Sequence, residues 1–181
     1  MKKHAILVFT FLLFVCGCES MMNTPTKRVE EFLSKYQRQD EEVLTQLDNV
    51  VLQGNYNFNE DQTLTYKEVM KRQYQDLTYT IKEEMIDGDN ATVTVEIEVY
   101  DYNSVLDSAE EYYTKNPQEF KTDTGELDES KYTDYKIKQM KETKDKIKYT
   151  LNLTLTRSDK KWILNDITEA DRQKIHGIYN S

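Results

Sequence analysis

Cys16 and Cys18 are the only two cysteines in the chain, and they lie two positions apart at the end of an apolar stretch near the N-terminus. A close cysteine pair can form a disulfide, act as a redox couple or bind a metal ion, because the thiolate is both a nucleophile and a ligand. Each of these chemistries requires that both side chains stay with the folded domain. The residues around the pair therefore decide which chemistry is open to it.

The residues before the cysteines have the layout of a secretory signal peptide. Lys2 and Lys3 open the chain, and the apolar stretch from Ala5 to Cys16 is interrupted only by Thr10. A basic start, a short apolar segment and a small residue at its end are typical of a signal that is removed after export. A bilayer-spanning helix needs about 20 apolar residues, so this segment is too short for a permanent span.

The end of the apolar stretch, Val15-Cys16-Gly17-Cys18, resembles the lipobox of bacterial lipoproteins, in which an aliphatic residue, a small residue and Gly or Ala precede an invariant cysteine. The resemblance implies cleavage between Gly17 and Cys18. It also implies a diacylglycerol on the sulfur of Cys18, with or without a further N-acyl chain such as palmitate. Cys16 would leave with residues 1–17, so the pair could form no disulfide, redox couple or metal site. The alternatives are a plain signal peptide and an uncleaved anchor.

The charge of the remaining chain argues against nucleic acid as a partner. Loss of residues 1–17 removes two lysines and leaves 22 basic and 33 acidic residues, a net charge of −11. Nucleic-acid binders present a basic surface, and an anionic membrane repels such a charge. We expect residues 18–25 to be a lipidated tether to the extracytoplasmic face of the cell membrane. Residues 26–181 are short enough to form a single domain.

Hydrophobic periodicity predicts helices first and an antiparallel sheet after them. Apolar residues at helical spacing predict helices over residues 26–37 and 43–51, and a third that starts at Thr65 with Glu68 completing a capping box. The Asp-Gly pair at 87–88 predicts a hairpin. Strict alternation predicts strands over residues 77–82, 91–99 and 147–155, and the turn at 157–161 leads into a fourth predicted strand at about 162–167. The strands share one apolar face, which the helices must cover.

Residues 103–145 form a helical excursion between two of the predicted strands. The segment is too long for a hairpin loop, and its apolar residues recur at helical spacing. It contains four tyrosines that could form an aromatic surface for a partner, namely Tyr112, Tyr113, Tyr132 and Tyr135. The alternative is that these rings only pack the two additional helices onto the edge of the sheet.

Three segments resemble small lipoproteins of unknown function from Gram-positive bacteria that have a nuclear transport factor 2-like (cystatin-like) domain. The segments are TPTKRVEEFLSKYQ (24–37), KRQYQDLTYTIKEEMIDGDNATVTVEIEVYDY (71–102) and YTLNLTLTRSDKKWILNDI (149–167), together about two fifths of the mature chain. The resemblance implies a cone-shaped α+β domain, in which N-terminal helices pack on a curved antiparallel sheet. The helical excursion departs from that pattern as an insertion between strands.

Enzymes of this fold, such as ketosteroid isomerases and dehydratases, resemble one another in projecting Asp, His and Tyr side chains from the sheet into an apolar pocket. The inward positions of the strands predicted at 91–99 and 147–155 contain no carboxylate and no imidazole, and Tyr79 and Tyr149 supply only phenols. A phenol with a pKa of about 10 is a poor general base. We therefore predict that the protein is not an enzyme and has no cofactor beyond the lipid on Cys18.

The remaining candidates for metal or proton chemistry fit structural roles better. His176 is the only histidine after the signal segment and lies near the C-terminus, which favours a packing or capping role. The acidic segments at 87–90 and 123–130 match a hairpin turn and a solvated loop with a helix cap. A calcium loop needs about six or more oxygen ligands from a longer stretch. No metal site is predicted.

Two non-catalytic functions remain open. In the first, Tyr79, Tyr149 and Trp162 line a pocket between sheet and helices that binds a small apolar or peptide ligand of the cell envelope. In the second, these large side chains fill the core. The protein is then a structural or interaction module that contacts an envelope protein through residues 103–145.

Overall fold

The computed structural model describes residues 23–53 and 57–180 as a four-stranded antiparallel sheet with helices packed on it. The signal segment, the lipobox and most of the tether lie outside the described residues. The helices are α1 (Pro25–Arg38), α2 (Glu41–Gln53), α3 (Glu60–Gln75), α4 (Tyr102–Lys115), α5 (Glu129–Glu142) and α6 (Glu169–His176). The strands are β1 (Thr78–Asp87), β2 (Asn90–Tyr100), β3 (Lys146–Ser158) and β4 (Lys161–Leu164), in that order across the sheet. The predicted α+β class, with a helical insertion between strands, is confirmed.

One apolar face of the sheet forms the core. The sheet residues with 0–2% exposure on this face are Val93, Val95, Ile97, Val99, Leu151, Leu153 and Leu155. Helices α1 and α6 contact β2 and bring Leu33 and Ile175 into the core, both at 0% exposure. Helix α3 packs against them through Met70 and Tyr74, which are 0% and 1% exposed. Side chains therefore fill the space between sheet and helices. Burial of each such side chain contributes about 1.5–3 kcal/mol, which holds the layers together.

The third helix begins earlier than the sequence predicts. The Asn59 side chain accepts a hydrogen bond from the backbone N–H of Gln62, and the Gln62 side chain accepts one from the backbone N–H of Asn59. This reciprocal capping box satisfies the free N–H groups one turn and a half before Thr65. The predicted cap at Thr65 is therefore wrong, and its hydroxyl donates to the carbonyl of Asp61 at 2.9 Å within the helix.

The first strand is longer than predicted because its alternation changes phase. The pairing register with β2 shifts between Ile81 and Glu83, which leaves Lys82 as the additional residue of a β-bulge. Before the bulge Tyr79 and Ile81 lie on the core face of the sheet, whereas after it the exposed Glu84 lies on that face, opposite Val93. A pattern with a constant period of two therefore ends at the bulge although the strand continues.

The two hairpin turns lie at one end of the sheet, and the insertion is attached at the opposite end. Asn90, next to the β1–β2 turn, pairs with Thr156, near the β3–β4 turn. At the opposite end Tyr100 pairs with Lys146, and the insertion runs between these two residues. The 11 residues of β2 separate the two ends by about 35 Å.

The described chain begins at the hairpin end. Asn23 donates a hydrogen bond from its side-chain amide to the carbonyl of Lys160 (2.5 Å) and accepts one from the backbone N–H of Trp162 (3.1 Å). The backbone N–H of Thr26 donates to the carboxylate of Glu84 at 2.8 Å. The start of α1 is therefore fixed against both hairpins.

Buried polar contacts join the insertion end of the sheet to the helices. The Gln73 side chain accepts a hydrogen bond from the N–H of Tyr100 at 2.8 Å and donates one to its carbonyl at 3.2 Å. Gly177, which ends α6 at a φ of +72°, lies so close that a Cβ there would be 2.1 Å from the Tyr100 carbonyl oxygen. Its own carbonyl accepts from the N–H of Asn103 in α4 at 2.8 Å. Only glycine fits this junction.

Candidate functional site: the aromatic cluster of the insertion

Five aromatic rings of the insertion pack against one another and form the aromatic cluster: Tyr112, Tyr113, Phe120, Tyr132 and Tyr135. Phe120 is edge-on to all four tyrosine rings, at centroid distances between 5.4 and 6.2 Å. Tyr112 stacks on Tyr135 at 5.1 Å, and Tyr113 lies 4.9 Å from Tyr132. Such ring pairs contribute about 0.5–1.5 kcal/mol each beyond the area they bury. The structure thus brings together all four tyrosines that the sequence predicts as a partner surface.

Local backbone structure places the rings. Helix α4 supplies two tyrosines and is capped by Asp101, whose carboxylate accepts from the N–H of Ser104 at 3.0 Å. Helix α5 supplies the other two and is capped in the same way by Asp128. Phe120 ends the 3₁₀ turn Pro117–Phe120, and its carbonyl accepts from the N–H of Asp128 at 2.7 Å. The segment between the helices is therefore folded back on itself, which puts Phe120 under the tyrosines.

The insertion is attached to α3 by polar contacts at both ends of α5. The buried Gln62 side chain donates to the carboxylate of Asp134 (2.8 Å) and to the carbonyl of Ser130 (3.0 Å). Near the C-terminus of α5, the guanidinium of Arg72 donates to the carbonyls of Lys141 and Thr143. A cation at this position also offsets the partial negative charge of the helix end. The cluster is therefore presented on a rigid support.

The cluster has a buried centre and an exposed edge. Phe120 is 3% exposed, whereas Tyr112 is 36% exposed and the other three tyrosines are half-buried. The Tyr112 hydroxyl donates to the carboxylate of Glu119 at 3.0 Å, and this hydrogen bond raises the pKa of Tyr112. The ammonium of Lys136 lies 4.7 Å from the centre of the Tyr132 ring. The rings pack the two helices together, and their polar edges still face solvent.

The three residues of the predicted ligand pocket are not brought together. Tyr79 and Tyr149 flank Ile97 in one row across the sheet, where both are half-buried. Trp162 pairs with Arg157, eight residues farther along β3 than Tyr149 and thus about 26 Å away along the strand. The separation arises because β4 is short and pairs only with the hairpin end of β3. The Tyr149 ring instead packs edge-on against Tyr179 at 5.9 Å.

Trp162 lines an open groove of about 830 Å³ between α1, the first turns of α2 and β4. Phe32 and Tyr36 of α1 provide the apolar part of its wall. Basic and acidic side chains around the groove pair with each other, as in the contacts of Arg28 with Glu31 (2.8 Å) and of Lys35 with Glu42 (2.7 Å). The groove therefore has a nearly neutral rim, and of its aromatic side chains Trp162 (6% exposed) and Tyr36 (3% exposed) are buried while Phe32 is half-buried.

His176 is buried as a packing residue, as the sequence predicts. It is 8% exposed, and its Nε2 atom lies 3.0 Å from the hydroxyl of Tyr74. Burial, assisted by the positive charge of Arg172, lowers the pKa of His176 to about 4. Burial also raises the pKa of Tyr74 well above its usual range. Both groups are thus neutral at pH 7 and form one hydrogen bond inside the core.

Within residues 23–53 and 57–180, no three His, Cys, Asp or Glu side chains are grouped closely enough to bind a metal ion. None of the helices there is both long and apolar enough to cross a bilayer.

A solved structure from Bacillus subtilis, described as "a putative lipoprotein (ycdA)", is similar to this chain in fold. The TM-score is 0.51 and the sequence identity 13%, over 90% of this chain and 58% of that one. This chain thus spans little more than half the length of that protein. No protein-family model matches the chain, and no curated protein matches it in sequence.

Protonation of His176 should destabilise the fold in mild acid. The folded state holds the pKa near 4 against an unfolded value of about 6.5. The contribution of neutral His176 to the free energy of unfolding is therefore fully present above pH 6.5. It is lost as the pH falls towards 4, by up to about 3 kcal/mol. Denaturant unfolding at pH 7.5 and pH 4.5 should show this loss in the native chain and a smaller one in His176→Gln. Equal losses in the two proteins would contradict the assignment.

Proposed function

We propose that this protein is a non-catalytic, lipid-anchored module of the bacterial cell envelope that contacts a partner protein through the aromatic cluster. The observation that carries the proposal is the gathering of four tyrosines around Phe120 with an exposed edge. Tyrosines in such positions are common among the residues that dominate binding energy, because they bury a large area and keep a polar handle. We propose no nucleic-acid partner and no cofactor other than the lipid on Cys18.

Anchoring rests on the N-terminal sequence. The Val15–Cys18 segment resembles a lipobox, and the chain shares its fold with a protein described as a lipoprotein. Diacylglycerol on Cys18 would hold the domain at the extracytoplasmic face of the membrane, since two acyl chains anchor stably where one is marginal. The described chain begins five residues later, at Asn23.

The filled core favours a contact surface over an enclosed ligand pocket. Val95 and Ile97, at the centre of the apolar sheet face, are 0% exposed beneath helices α1 and α6.

Catalysis by the phenols of the sheet is also disfavoured. Burial raises the pKa of Tyr149, which moves this phenol further from the range of a useful general base.

Site-specific crosslinking tests the partner surface. A photoreactive p-benzoylphenylalanine in place of Tyr112 should give a discrete protein adduct in intact cells, because the exposed ring edge would lie inside the interface. The matched control is the same substitution at Leu52 of α2, which is 77% exposed and lies outside the insertion. Adducts at both positions, or at neither, would contradict the proposal.

A small apolar or peptide ligand is a second candidate, favoured by the groove beside Trp162. This residue is the only tryptophan in the chain, so that its fluorescence reports on the groove directly. Titration with short apolar peptides should shift Trp162 emission in a saturable manner. Phe32→Ala, which removes part of the groove wall, should weaken binding by about tenfold or more. Titrations that leave Trp162 emission unchanged would eliminate this candidate.

A further inference from the structure

Two apolar side chains are exposed at the tip of the β1–β2 hairpin. Met85 is 54% exposed and Ile86 is 55% exposed. Because neighbouring residues on a strand point to opposite faces, the tip presents an apolar group on each side of the sheet. Ile86 faces the same side as its partner Ala91, and Met85 the same side as Thr92.

The β-bulge brings Ile86 to this position. Without the bulge at Lys82, an unbroken alternation from Tyr79 would place Ile86 on the outer face with the polar threonines. The shifted register instead extends the apolar face of the sheet to the tip, beyond the start of α1. At this position the side chain of Ile86 is 55% exposed, although it lies on the face that is buried at Val93 and Val95.

The chain enters the domain beside this tip. Glu84, which accepts the hydrogen bond from the N–H of Thr26, is two residues from Ile86, about 7 Å along the strand. Asn23 is bonded to the neighbouring β3–β4 turn. Cys18 precedes Asn23 by five residues, at most about 18 Å of extended chain. Acyl chains on Cys18 would thus bring the hairpin tip to the bilayer surface.

The charges near the tip include no basic excess. Asp87 and Asp89 flank Gly88, the neighbouring turn consists of Asp159 and Lys160, and Lys161 begins β4, which gives three acidic and two basic side chains. The tip therefore lacks the basic cluster that would attract it to anionic headgroups. Insertion of the apolar side chains is the interaction that the surface can offer to a lipid.

We propose that the tip of the β1–β2 hairpin is a second membrane contact, at which Met85 and Ile86 enter the interface of the lipid bilayer. The proposal rests on the proposed lipidation of Cys18. Two exposed side chains bind a membrane only weakly by themselves, but the anchor makes the contact intramolecular and so raises its effective concentration to the millimolar range or above. With the anchor and the hairpin both engaged, the domain has a defined orientation on the membrane.

Spin labelling of the lipidated chain in phosphatidylcholine vesicles tests the contact. In Ile86→Cys the new thiol is the only free one in the mature protein, because Cys18 is acylated and Cys16 has been removed. We expect this label to lie about 5–10 Å below the headgroups, accessible to oxygen and shielded from a water-soluble nickel complex. Met85→Cys should give a comparable depth and serves as the second variant if Ile86→Cys folds poorly.

The matched control is Lys148→Cys on β3. Its side chain is 60% exposed, and its partner on β2, Glu98, is seven residues from the partner of Ile86, about 23 Å along the strand. This label should remain fully accessible to the nickel complex. Equal accessibility of the labels at positions 86 and 148 would overturn the proposal.

Flotation of the vesicles separates this inference from the function on which it rests. Lipidated protein that floats with the vesicles, with the label at position 86 in water, would overturn the hairpin contact alone. Protein that stays in the aqueous fraction because Cys18 has no lipid would overturn both.

Discussion

The structure depends on the burial of one apolar face of β2. Val93, Val95 and Ile97 have no exposed area, since β1 and β3 flank the strand and helices α1 and α6 cover it. Burial of three such side chains contributes several kcal/mol, about as much as the net stability of many small domains. Because the same strand ends at a hairpin on one side and at the insertion on the other, its packing also positions both surfaces to which we assign a role.

The insertion is joined to this core by polar contacts that tolerate little change. Gln73 satisfies both backbone groups of Tyr100 in a buried setting, where an unpaired donor or acceptor would cost about 1–3 kcal/mol. Gly177 leaves room for that contact, and the Arg72 guanidinium fixes the end of α5. A cluster held in this way loses little conformational freedom when a partner binds, which suits a contact surface.

The sequence predicted most clearly what depends on periodicity. The alternation from Ala91 to Val99 predicted β2, and helical spacing predicted α1 and the two helices of the insertion that carry the four tyrosines. Phe120, the centre of that cluster, escaped prediction because it lies in a 3₁₀ turn with no periodic pattern around it. The bulge at Lys82 hid the second half of β1 for a similar reason. The three residues of the predicted ligand pocket are not brought together because the sequence does not determine strand pairing. Strand patterns place Tyr149 and Trp162 on the same sheet but do not specify how far along β3 the short β4 begins.

The central claim is that a domain with a filled core is held in the envelope by lipid on Cys18 and acts through its surface. Native mass spectrometry of the protein purified from its own membranes tests this most directly. The account predicts a mature chain that begins at Cys18, has diacylglycerol on that residue and has no small molecule bound inside it. A chain that retains residues 1–17, an unmodified Cys18 or a tightly bound small molecule in the core would contradict it.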